Sequence, residues 1–315
     1  MIGTLHRMQE PVVSARALTK HFGDFVAVDS IDFDVHPGEA FGFLGPNGAG
    51  KSSTMRMIGA VSPITSGTLS VFGLDPATDG RQIRSRLGVV PQEDNLDQEL
   101  TVEENLIIYG RYFDLPRSVI RPRIDELLSF AQLEDRRTSK VEPLSGGMKR
   151  RLTIARSLIS EPDIVLLDEP TTGLDPQARH LLWERLYQLK ERGVTLIITT
   201  HYMDEAEQLC DRLVIMDRGK IVAEGAPSAL ISNHTTRDVL ELRFRTEGRQ
   251  DSISRLDGIG KKLEILPDRV LVSTDDAEAS LAEVYARDLH PIANLVRRST
   301  LEDVFLALTG RTLVD

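Results

Sequence analysis

An eight-residue run, Gly45-Pro46-Asn47-Gly48-Ala49-Gly50-Lys51-Ser52, with Ser53 directly after it, constrains this chain more than any other feature. Gly45, Gly48 and Gly50 free the backbone to curl, so that successive N–H groups turn inward toward the positive end of a helix expected from about Lys51 to Ile58. An apolar, strand-like segment from Ala40 to Leu44 precedes the loop. Strand, glycine-rich loop and helix in that order make a cradle for a β-phosphate. Lys51 then stands as a point charge for the β- and γ-phosphates, and the Ser52 hydroxyl is placed for the magnesium that bridges them.

Two further stretches carry the same chemistry. Ile164-Val165-Leu166-Leu167-Asp168-Glu169-Pro170 ends an apolar strand on a carboxylate. Such a group is unfavourable there unless it meets a cation or donors, and a place for Asp168 beside the magnesium supplies one. Leu144-Ser145-Gly146-Gly147-Met148 opens a helix whose stripe of Leu152, Ala155 and Ile159 faces a core. The Ser145 hydroxyl and the N–H groups of Gly146 and Gly147 form a second anion site at that helix N-terminus. Taken singly, an Asp-Glu pair reads as a helix cap and a Ser-Gly-Gly as a flexible turn.

The three elements in this order resemble the ATP-binding subunit of an ABC transporter, and the resemblance covers most of the chain. It implies ATP and Mg2+ as ligands and Glu169 as the general base that activates the attacking water, an effect worth roughly 10²–10⁴-fold in rate. It also implies that Gln92, after Val89-Val90-Pro91, touches magnesium and the attacking water, and that His201 contacts the γ-phosphate. Phe22 corresponds to the aromatic that stacks on adenine, and Asp175 to the aspartate that links two half-sites. In that family the Ser145 signature faces the phosphate loop of a second subunit, so hydrolysis is expected to need a homodimer or a heterodimer of ATPase subunits. Met148 departs from the glutamine most often found there.

Around these motifs the chain reads as an α/β phosphate-loop core of ABC type over about residues 10–231. Its antiparallel edge is expected from Val12 to Val35, with a turn at Phe22-Gly23-Asp24. A helical subdomain at about 93–160 opens with a capping box, Thr101-Val102-Glu103-Glu104. Ile164 to Leu167 and Val194 to Thr199 are continuous apolar runs, as in strands buried on both faces of a parallel sheet. A crossover helix between them and a closing hairpin near Asp217-Arg218-Gly219-Lys220 complete the core. Ser232-Asn233-His234-Thr235-Thr236 reads as a linker, and residues 238–315 as a small α/β domain with an accessory, dimer-stabilising or regulatory role.

Composition bounds the remainder. In 315 residues the apolar runs are strand-sized, far below the roughly 18 residues a spanning helix needs. With no secretory signal at residues 1–7, the chain is expected at the cytoplasmic face of the bacterial cell membrane, as a peripheral subunit of a separate integral-membrane permease. A net charge of −10 argues against direct nucleic-acid binding, and Cys210 is the one cysteine, which excludes an internal disulfide. The stretches Gln92 to Asp97, Tyr109 to Phe113 and Leu301 to Arg311 resemble bacterial exporters of hydrophobic drugs and lipid-linked sugars, of the daunorubicin-resistance and nodulation-factor type. The function expected is therefore ATP-driven export. Two alternatives are a non-transport ABC ATPase acting on ribosome or nucleic acid, and an importer ATPase with a C-terminal regulatory barrel.

Overall fold

The computed structural model describes residues 10–310, so residues 1–7 and Arg311 lie outside the described residues. The chain divides into two compact units, one ending at Gly225 and the other beginning at Ala226. In the first, β1 (Val13–Phe22) and β2 (Phe25–Val35) form the antiparallel edge, followed by β3 (Ala40–Leu44), α1 (Lys51–Ile58), β4 (Ser66–Val71), α2 (Gly80–Arg84) and β5 (Leu87–Val90). The helical block is α3 (Val102–Tyr112), α4 (Arg117–Ala131) and α5 (Gly146–Ser157). After it come β6 (Ile164–Asp168), α6 (Pro176–Glu191), β7 (Thr195–Thr200), α7 (Met203–Leu209), β8 (Arg212–Asp217) and β9 (Lys220–Gly225).

The unbroken apolar runs form the centre of a six-stranded sheet ordered β5-β6-β7-β3-β8-β9, parallel except for the last strand. Every residue of β3 and β7 is buried, which is what helices on both faces require of a parallel sheet. A second, antiparallel sheet has the order β2-β1-β4. Helix α1 contacts β2 as well as β6 and β7, so it lies between the sheets. Phe33 of β2 meets Phe43 of β3 edge-on at 5.1 Å in their shared core.

Helices α3, α4 and α5 pack on one another, and Leu106, Ile120, Ile124 and Leu152 on them are buried. A Cβ at Gly110 of α3 would stand 3.0 Å from the Ile120 side chain, so the missing side chain is what allows close approach. The predicted capping box is present: the Glu104 N–H donates to Thr101 Oγ1 at 3.2 Å, and the Thr101 N–H donates to Glu104 Oε2 at 2.8 Å.

The second unit comprises α8 (Pro227–His234), β10 (Asp238–Arg243), α9 (Arg249–Ser254), β11 (Lys262–Ile265), β12 (Val270–Thr274), α10 (Ala277–Ala286), β13 (Ala293–Arg298) and α11 (Leu301–Thr309). Its antiparallel sheet has the order β11-β12-β10-β13. Leu240 and Leu242 pack with Ile253 of α9 and Val284 of α10, while Val239 and Leu271 pack with Leu306 of α11. The segment expected as a linker is a correction: residues 232–234 are helical, the last turn of α8. This helix buries Leu230 and packs on α11, so the division falls at Gly225, ahead of the boundary expected near 231. One buried residue in a short polar helix gives too weak a period to read.

Thr101→Ala removes one of the two reciprocal bonds of the capping box and should destabilise the first unit by about 1 kcal/mol. Urea denaturation checks this as a lower midpoint at unchanged slope.

Candidate active site

Three adjacent strands deliver the polar residues to one edge. In the register of the sheet Phe43 of β3 pairs with Thr199 of β7, and Thr199 pairs with Asp168 of β6. The carboxyl ends of these strands therefore stop side by side, each step about 4.8 Å. The phosphate loop leaves β3, Asp168-Glu169 leaves β6 and His201 leaves β7. Residues far apart in sequence thus converge outside one sheet edge, where ligands of open α/β sheets bind.

Two loop positions show why glycine is required. Gly50 lies at φ 106°, and a Cβ there would sit 2.5 Å from the Ala27 carbonyl oxygen. A Cβ at Gly45 would stand 2.2 Å from the Met216 carbonyl oxygen. Lys51 is buried, with Nζ donating to the carbonyls of Gly45 at 2.7 Å and Pro46 at 3.0 Å. Burial pushes its ammonium below the ordinary value, while Glu169 and Asp168 pull the other way. A cavity of about 380 Å³ runs from Asn47, Gly48 and Gly50 through Lys51, Ser52 and Ser53 to Gln92 and Glu169, with Phe25 and Ala27. Ala49 is buried beside it.

Glu169 is where the predicted residues meet. Its Oε2 accepts from Gln92 Nε2 and from Thr172 Oγ1, each at 3.2 Å. On its other oxygen, Lys51 Nζ stands at 3.9 Å and His201 Nδ1 at 3.3 Å. The residue is 7% exposed, and its backbone sits at φ 46°, a left-handed conformation uncommon for a residue with a side chain. Its N–H is held by Thr199, whose carbonyl accepts at 3.0 Å and whose Oγ1 accepts at 3.1 Å.

Asp168 Oδ1 accepts from Ser52 Oγ at 3.1 Å and from Thr199 Oγ1 at 2.5 Å. One carboxylate and one hydroxyl in contact are a hard-oxygen pair suited to magnesium, which is held by one or two carboxylates with substrate phosphates completing its shell.

Several predicted residues lie elsewhere. Ser145 caps α5 by accepting from the Met148 N–H at 3.3 Å, and Asp175 caps α6 by accepting from Ala178 at 2.9 Å. The two helix starts are neighbours, since a Cβ at Gly147 would stand 3.2 Å from the Ala178 Cβ. Ser145, Gly146, Gly147 and Asp175 do not line the phosphate cavity of their own chain. Phe22, half-exposed beneath the Lys20 ammonium, does not line it either; its strand partner Phe25 does. Phe25, Thr172 and Thr199 escaped sequence reasoning. Of these only Thr199 carried a signal, a polar residue ending an apolar strand as Asp168 does.

Residues 28–172 match the model of the ABC transporter family. The chain is 46% identical over 305 residues to the Nod factor export ATP-binding protein I of Burkholderia lata, covering 96% of this chain and 98% of that protein. The chain belongs to the ABC transporter family. It is the ATP-binding subunit of an exporter and an ATPase. Among solved structures, cbiO1 from Clostridium perfringens, part of the ABC transporter complex cbiONQ, is 28% identical with a TM-score of 0.66, over 71% of this chain and 92% of its own. A dimeric ATP-binding cassette in a post-hydrolysis state with ADP and Pi is also 28% identical, with a TM-score of 0.62, over 68% of this chain and 98% of its own. In this ABC ATPase Lys51 is the buried cation nearest the phosphate cradle. Lys51→Ala should weaken ATP binding by about tenfold or more, roughly 1.4 kcal/mol, read by equilibrium titration with a fluorescent ATP analogue.

Proposed function

We propose that this subunit hydrolyses ATP with Glu169 as general base and so drives export through a separate membrane permease. The observation that carries the reading is the convergence on one buried carboxylate of Gln92, His201, Thr172 and Lys51. Glu169 takes the proton of the attacking water, Gln92 and His201 orient water and γ-phosphate, and Lys51 exchanges its two loop carbonyls for phosphate oxygens. Ser52 and Asp168, with Gln92 nearby, would hold Mg2+, which neutralises charge on the β- and γ-phosphates. The products are ADP and phosphate.

Ser145, Gly146, Gly147 and Asp175 lie off the phosphate cavity at paired helix starts, which supports a second ATPase subunit as the chain they serve. The dimeric cassette among the similar structures supports the same arrangement. Phe22 and Phe25, at the β1–β2 turn, are the aromatics available to an adenine.

A groove of about 530 Å³ joins this site to the helical block, lined by Val89, Pro91, Gln92, Tyr109 and Phe113 among others and reaching Ser52 and Asp168. Leu106 of α3 is buried and Tyr112 is exposed, while Tyr109 and Phe113 line the groove. We assign it to a segment of the permease, whose seat on Gln92 would link transport to nucleotide state at the cytoplasmic face. No helix among the described residues is long and apolar enough to cross a membrane, which supports a separate permease. The cargo proposed is a hydrophobic drug, lipid or lipid-linked sugar, the last favoured by the relatives' Nod factor export name. The second unit, 226–310 as described, is assigned a dimer-stabilising or regulatory role.

Glu169→Gln should lower kcat by about 10²–10⁴-fold while ATP stays bound. Steady-state phosphate release, with size-exclusion chromatography in ATP to detect a trapped dimer, tests this, and an unchanged rate removes Glu169 from catalysis. Purification from native membranes in mild detergent should recover a polytopic membrane protein in stoichiometric amount; recovery of ribosomes or nucleic acid instead would refute the pump.

A further inference from the structure

One buried cation has no part in the chemistry so far. Arg150, in the second turn of α5, is 4% exposed and spends its donors on backbone carbonyls. Its Nε donates to Pro170 at 2.7 Å, and Nη2 donates to Asp168 at 3.0 Å and Glu169 at 3.2 Å. Its Nη1 donates to Pro91 and, at 3.4 Å, to Gln92, while the Asp94 carboxylate stands 3.8 Å away. Five carbonyls from two separate loops thus close on one planar fork.

The contacts continue along the same face of the helix. Thr153 Oγ1, three residues on, donates to Asp94 at 3.1 Å, and Arg156, three further, donates to the Asn95 carbonyl at 2.5 Å while covering the Tyr109 ring. Positions three apart share a helix face, so α5 holds the Pro91–Asn95 loop at three heights. The same helix begins at Ser145 and Gly146, where its free N–H groups point out.

We propose that Arg150 is a positioning residue for hydrolysis, a rigid tie through which the helix behind Ser145 sets where Gln92 and Glu169 stand. A shift of α5 then moves the segment after β5 and the segment after β6 together. Five donors in a fixed plane suit this role; a lysine ammonium has three donors on a flexible stem and cannot span both loops. The proposal rests on the roles given above to Gln92 and Glu169. Arg150 does not line the cavity at the phosphate loop, so its loss should fall on turnover and spare the affinity set by that loop.

The test compares Arg150→Met and Arg150→Lys with the parent chain, measuring kcat and KM for ATP and the thermal midpoint. For Arg150→Met, kcat should drop about 10- to 100-fold, since small misplacements of reacting groups carry losses of that order. KM should stay within about threefold, the mark of an interaction that acts on the transition state. Arg150→Lys should show the same split, less severely. A folded Arg150→Met with kcat within about threefold of the parent overturns the proposal, as does a KM rising in step with the fall in kcat. If Arg150→Met does not fold, Arg150→Lys decides: lower kcat at constant KM supports the tie, and any other pattern overturns it. Glu169→Gln separates the two readings, because a full rate there defeats the assignment of Glu169. An inactive Glu169→Gln beside a fully active Arg150→Met defeats only the role of Arg150.

Discussion

Everything in the site depends on the parallel register of β6, β7 and β3. Once Asp168, Thr199 and Phe43 stand in one row, three loops must emerge at the same edge, and their polar residues fall within hydrogen-bonding reach without any special arrangement of the loops themselves. The apolar strands make that row rigid, because with both faces buried a register slip would displace packed side chains on each of them. Thr199 joins sheet to site, donating to Asp168 while accepting from the Glu169 backbone.

Buried charge is handled by two different means. Lys51 is held by two carbonyls of its own loop and faces carboxylates, which suits the proposed exchange of those carbonyls for phosphate oxygens. Arg150 is held by carbonyls of other segments, and trading them would release those segments. One cation is placed to change partners and the other to keep them. The difference lies in where the accepting carbonyls belong.

The core of the fold was legible because its signals are local. Continuous apolar runs marked β3, β6 and β7, and Thr101 with Glu104 marked the start of α3. The residues that the structure gathers after β3, β6 and β7 were legible through motif spacing. What stayed hidden depends on contact: Thr172 and Arg150 look like ordinary polar residues until the chain folds, and Phe25 enters the cavity through the turn of a hairpin. Segments with mixed composition, such as β4, α2 and α8, gave no period, and α8 took its helical form from packing Leu230 beside α11.

The left-handed backbone of Glu169 bears on how such a subunit can evolve. A residue with a Cβ held in that region costs about 1 kcal/mol relative to glycine, which adopts it freely. Thr199 and Arg150 grip the peptide on either side, so the conformation persists whatever side chain is present. Glycine at 169 would therefore relax the chain while deleting the carboxylate. The resting structure is less stable than its sequence neighbourhood could make it, and drift toward a sturdier protein leads toward one that has lost this carboxylate.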